Sequence, residues 1–141
     1  MASRRPRRGR ALEALVDTNV LVRHLTGDPP AEARRASAFL SAGHILLLPD
    51  VILAELVYVL SSYYERPRGE VARAARSLLA FPSIAVRDPL LLRRATELCE
   101  TERFAFHDAY LVAAAERTGV GRVASFDHDL DEVRTIERVE P

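Results

Sequence analysis

From residue 12 onward, short apolar runs alternate with longer segments of helical period. Residues 12–16 (LEALV) predict a short strand that ends at Asp17-Thr18-Asn19, and 18–26 predict a short helix. Pro29-Pro30 opens the next helix, since proline is pre-set for a first helical turn. It runs to Ala42, with Ala33, Ala36 and Leu40 on one side and Arg34 and Arg35 on the other. Gly43 stops it by its ease in the left-handed region. Residues 45–48 (ILLL) form a continuous apolar run, short enough for a buried strand.

Pro49-Asp50 starts a helix over 50–65, which Pro67 and Gly69 break. A helix over 69–80 ends near Phe81-Pro82, and 83–86 predict a third strand. Asp88-Pro89 caps a helix reaching about Glu102. A helix over 107–118 closes at Gly119; 120–125 predict a fourth strand and 135–139 a weak fifth. Strands alternating with helices imply an α/β domain: a parallel sheet of about five strands with helices on both faces. Such sheets hold ligands beyond the carboxyl ends of their strands.

Composition narrows the chemistry. A chain of 141 residues, 48% apolar and 28% charged, is one globular domain rather than a disordered segment. Cys99 is the only cysteine, which excludes an internal disulfide and leaves too few thiolates for a structural zinc or iron–sulfur site. All 20 basic residues are arginine, so a P-loop lysine and a lysine Schiff base are excluded. His24, His44, His107 and His128 show no zinc-ligand spacing and read as surface or packing histidines, with His107 and His128 beside candidate acids. No run reaches the ~18 apolar residues of a membrane span. No signal-like apolar stretch follows the N-terminal arginines. The expectation is a soluble cytoplasmic protein without a membrane partner.

Charge is unevenly spread. Residues 1–10 (MASRRPRRGR) hold five arginines and no acid, leaving 15 arginines against 20 acids in the rest. Residues 1–11 are therefore expected to be a basic, disordered tail able to touch nucleic acid, and 12–141 the folded domain.

Four acids stand out, each with an ordinary alternative. Asp17 directly follows the first predicted strand and is equally suited to cap a helix, although Thr18 and Asn19 could do that. Asn19, the only asparagine, can orient a neighbouring carboxylate. Glu55 is the only charge in VILAELVYVL, and its helical neighbours Val51, Ile52, Tyr58 and Val59 place it on an apolar stripe. Burying an unpaired carboxylate costs several kcal/mol, so Glu55 is expected to face a partner, a metal or a polar cavity. A solvated glutamate is the alternative. Asp108 opens an apolar helix, where the helix dipole alone would favour it. Asp127 follows the fourth strand and could serve as a turn residue; Asp129 and Asp131 compete from the same loop, and Ser125 stands ready to hydrogen-bond nearby.

One shared site accounts for all four. Crowded carboxylates repel and stay ionised only where a cation compensates them. Oxygen ligands alone select a hard ion, Mg²⁺ or Mn²⁺.

Asp17-Thr18-Asn19-Val20-Leu21-Val22-Arg23, the isolated Glu55, His107-Asp108-Ala109-Tyr110-Leu111 and Ser125-Phe126-Asp127-His128-Asp129 resemble the PIN-domain ribonucleases. Among these the chain is most similar to VapC-type toxins of bacterial toxin–antitoxin pairs, over about residues 12–139. The resemblance implies that Asp17, Glu55, Asp108 and Asp127 are the metal-binding and catalytic acids, Asp17 and Asp108 being the closest ligands. Thr18, Asn19 and Ser125 would support them; Ser125 stands where the family usually has threonine. Ala105 stands where some members carry a further acid. The implied reaction is Mg²⁺-dependent endonucleolytic hydrolysis of RNA by a metal-activated water, leaving a 5′-phosphate and a 3′-hydroxyl. Arg23 and the tail are candidates for binding flanking phosphates. Implied partners are RNA, a VapB-type antitoxin and a second copy in a homodimer. Two other classes compete: a catalytically silent PIN-like module that binds RNA or protein, and a phosphotransfer domain with Asp17 as nucleophile. The second normally relies on a distant lysine, which this chain lacks.

Overall fold

The computed structural model describes residues 11–141, so the basic-tail expectation lies, but for Ala11, outside the described residues. The chain runs β1 (Glu13–Leu15), α1 (Thr18–Thr26), α2 (Pro30–Leu40), β2 (Ile45–Leu47), α3 (Asp50–Ser62) and α4 (Arg68–Leu79). There follow β3 (Ile84–Ala85), α5 (Pro89–Thr101), α6 (Phe106–Thr118), β4 (Arg122–Ala124), a 3₁₀ turn (His128–Glu132) and β5 (Glu137–Val139). Helix ends follow local chemistry. Asp88 caps α5 by accepting from the Leu91 N–H at 3.2 Å, and Pro89 fills its first turn. Gly27 and Gly119 close α1 and α6 in the left-handed region, at φ 73° and 76°. The expected helix over 50–65 stops at Ser62, and Glu65 takes φ 51° ahead of Pro67. The 3₁₀ turn was not expected: five residues of HDLDE carry no apolar period to reveal it.

All strand pairs are parallel, as an α/β chain with helical crossovers requires. Five strands are present, but the ladder is divided. The order β1-β2-β3 forms one sheet, with Leu15 opposite Leu47 and Leu46 opposite Ile84. The pair β4-β5 forms the other, with Val123 opposite Arg138.

Burial along β1 and β2 is uneven. Leu46 and Leu48 are buried, yet Leu15 is 71% and Ile45 54% exposed. The core is built largely by helix packing. In it α3 contacts α1, α4 and α6, and α5 packs along α6. Leu21, Leu53, Leu56, Leu92, Leu98 and Val112 are fully buried. Arg94 on α5 donates twice to the Glu116 carboxylate on α6, at 2.9 and 3.0 Å. No helix among the described residues is long and apolar enough to cross a membrane.

Candidate functional site

Asp17 lies just past the carboxyl end of β1, at the N-cap of α1, with extended backbone (φ −90°, ψ 155°). Its Oδ1 accepts from the Thr18 N–H at 2.7 Å, and Oδ2 receives only a long contact, 3.3 Å, from the Asn19 side-chain amide. Asp17 therefore caps its helix and still leaves one oxygen lightly engaged. Thr18 is 6% exposed, and its hydroxyl donates to Glu55 Oε2 at 2.6 Å. Two carboxylates from different helices thus meet on one threonine.

The environment of Glu55 differs from expectation. It does sit between Val51 and Tyr58 on an apolar stripe, but that stripe faces solvent and Glu55 is exposed. The core takes Leu53, Leu56 and Leu60 from the opposite side of α3. The cost of burying a charge does not arise; what Glu55 has is a partner hydroxyl and a cavity. That cavity, of about 680 Å³, is lined by Glu55, Tyr58, Arg68, Cys99, Phe104 and His107 among others.

Asp108 lies in the first turn of α6, where negative charge is favoured, and its side chain is 22% exposed. Ala105 at the N-cap offers no side-chain bond. His107 Nε2 stands 3.2 Å from Asp108 Oδ1. Contacts therefore run from Asp17 through Thr18 to Glu55, and Glu55 and His107 line the same cavity. Asp127 is hydrogen-bonded to none of the other three. It is exposed, caps the 3₁₀ turn by accepting from the Asp129 N–H at 2.9 Å, and donates its own N–H to Ser125 Oγ at 3.0 Å.

Arg23 is held beside the acids rather than free at a rim. Its Nε pairs with Glu32, and Nη1 donates to the Asn19 carbonyl at 3.2 Å. Two of the histidines pack: His24 pairs with Ser37 Oγ at 2.7 Å, its pKa lowered by burial, and His44 Nδ1 accepts from the Leu12 N–H at 3.0 Å.

Sequence reasoning missed Asp50. Its Oδ2 accepts from the Tyr110 hydroxyl at 2.6 Å, tying the start of α3 to α6, so the two helices that carry Glu55 and Asp108 are pinned together. No local signal connects residues 60 apart. The partners of Arg138, a strand residue in a charged stretch, were equally invisible.

Among the described residues, no three of His, Cys, Asp or Glu stand close enough to share one ion. That excludes a preformed all-protein cage among them. Mg²⁺ does not require one: it keeps several waters and takes one or two carboxylates together with substrate phosphate oxygens. Asp17, Glu55 and Asp108 are oxygen donors, the kind such an ion takes, though they form no three-carboxylate cluster here.

No curated protein matches the chain. Among solved structures it is similar to VapBC2 from Rickettsia felis bound to a DNA fragment from their promoter, at 13% identity and a TM-score of 0.37, over 92% of this chain and 98% of that one. The family model for the PIN domain matches residues 14–136. With all six helices and Asp17, Glu55, Asp108 and Asp127 falling inside that match, the chain belongs to the PIN domain family.

Proposed function

We propose that the protein is a divalent-metal-dependent endoribonuclease acting as the VapC-type toxin of a toxin–antitoxin pair. The observation that carries this reading is the meeting of Asp17 and Glu55 on Thr18, inside a chain that belongs to the PIN domain family. The motif resemblance around Asp17, Glu55, Asp108 and Asp127 supplies the toxin assignment.

Asp17 Oδ2 and the Asp108 carboxylate would hold Mg²⁺ or Mn²⁺, which when bound neutralises phosphate charge and acidifies a water for in-line attack. Thr18 fixes Glu55 through one oxygen only, leaving the other to orient that water or accept its proton. Asp127 would complete the set of acids, with Ser125 setting its backbone. Asn19 steadies Asp17, and Arg23, held against the Asn19 carbonyl, meets a flanking phosphate. A VapB-type antitoxin that covers the acids would keep the enzyme silent, and the working form is a homodimer in the cytoplasm.

The test is incubation of the purified chain with mixed RNA, with Mg²⁺, with Mn²⁺ and with EDTA. Cleavage with either metal, loss with EDTA, 5′-phosphate ends, and loss of cleavage in Asp17→Asn are expected. The absence of a three-ligand cluster among the described residues, and the separation of Asp127, favour a second reading, a PIN module that binds without cutting. RNA retained by the chain without metal, uncut, and equally by Asp17→Asn, would establish that reading in place of the first.

A further inference from the structure

The loop that carries Asp127 is held by one buried cation. Arg138 lies in the middle of β5, opposite Val123 of β4, and its side chain is only 8% exposed. Nη1 donates to the Ser125 carbonyl at 2.9 Å. Nε and Nη2 donate to the two oxygens of Asp131 at 2.9 and 3.3 Å, a forked pairing. Nη2 also lies 2.9 Å from His128 Nδ1, and Glu140 Oε1 is 3.8 Å from Nη1. One planar group therefore grips the chain on both sides of Asp127, at residues 125 and 131.

The bonds of Asp127 itself are local: its N–H goes to Ser125 Oγ and its Oδ1 receives the Asp129 N–H. They shape the turn but do not attach it to the sheet. Leu130, fully buried, anchors the turn by its side chain, yet fixes no direction for a carboxylate three residues earlier. On the near side the Ser125 N–H also reaches β5, donating to the Val139 carbonyl at 3.0 Å, whereas on the far side, at Asp131, the attachment to β5 runs through the guanidinium. Arginine suits this task where lysine does not, because its donors are rigid and diverge in one plane.

We infer that Arg138 is a positioning residue: by clamping Ser125 and Asp131 to β5 it holds the Asp127 carboxylate in a single place for the reaction. The inference rests on the proposed nuclease reading for its consequence, though not for its geometry.

The experiment uses the full chain and has two arms. The first follows amide hydrogen exchange at Asp129, whose N–H reports on Asp127 Oδ1 directly. Arg138→Met is expected to speed exchange there at least ~10-fold while amides of α1 and β2 keep their rates. The second follows RNA cleavage. Arg138→Met is expected to lower kcat ~10-fold or more with KM within about twofold, and to add no further loss in an Asp127→Asn background. Where the methionine variant does not fold, Arg138→Lys keeps charge and length but not the fork, and the same readouts apply. Unchanged exchange at Asp129, or a loss in the double variant equal to the product of the single losses, would overturn the inference. If the wild-type chain cuts no RNA, the nuclease reading fails by itself and the exchange arm still decides whether Arg138 holds Asp127.

Discussion

Thr18 uses its two polar groups in two directions, its N–H towards Asp17 and its hydroxyl towards Glu55. Valine keeps the shape of a residue that is almost wholly buried and removes only the second bond. Because Glu55 is exposed and can be rehydrated, Thr18→Val is expected to cost about 0.5–1.5 kcal/mol by thermal melting. The same change should lower RNA cleavage well beyond any effect on folding. A variant as active as wild type would show that Glu55 needs no fixing. Asp108 differs from Asp17 in accepting from no backbone N–H among the described residues, so its charge contributes to folding mainly through the helix dipole, worth ~0.3–1 kcal/mol. In the proposed site, removing it would also remove repulsion from the other acids. Asp108→Asn is therefore expected to melt within a few degrees of wild type without metal, since ~1 kcal/mol moves a domain of this size by about 2–4 °C. Cleavage should fall below detection. A variant that melts far lower would mark Asp108 as a folding residue instead.

At the scale of elements, α3 shows why pattern alone left open which of its sides meets the core. Both of its stripes are apolar, Leu53-Leu56-Leu60 and Val51-Tyr58, and a period of 3.6 cannot say which one meets the core. Packing against α1, α4 and α6 decided it. The link from α3 to α6 through Tyr110 and Asp50 has a measurable signature. The hydrogen bond to the Asp50 carboxylate, helped by burial, pushes the Tyr110 hydroxyl up to about 12 from its ordinary 10.0. A raised folded value means that the stabilisation is fully present below about pH 10, the unfolded value, and is lost as pH rises through about 12. In a phenolate absorbance titration, one tyrosine should ionise late, and Tyr110→Phe should remove that late step. If all four tyrosines of the wild-type chain ionise together near pH 10, the link is not formed in solution.

At the scale of the whole molecule, the proposal depends on acids from distant parts of the chain acting on one cation. An ion that binds only the folded state raises stability by mass action, by about 1.4 kcal/mol at ten times its dissociation constant. Millimolar Mg²⁺ or Mn²⁺ is accordingly expected to raise the melting temperature by several degrees, and less in Asp17→Asn. An unmoved melting curve would count against the metal site independently of any RNA assay. The uneven burial along β1 and β2 is a second property of this scale. Leu15 and Ile45 are apolar residues in the open, and no local signal distinguishes them from Leu46, which is fully buried.

The order and type of nearly every element were legible in the chain, because proline, glycine and capping residues act within a few positions and the apolar period is local. So were the acids singled out as candidates: Asp17 and Asp127 just beyond strand ends, Glu55 alone in an apolar run, Asp108 at the start of a helix. Which of them touch was decided only by the tertiary structure. Thr18 joins Asp17 to Glu55, Asp50 joins α3 to α6, and Arg138 grips the loop of Asp127, each through a hydrogen bond between groups far apart in sequence or in different elements. Such bonds leave no trace in spacing or composition, because their energy depends on a distance that exists only once the helices have packed.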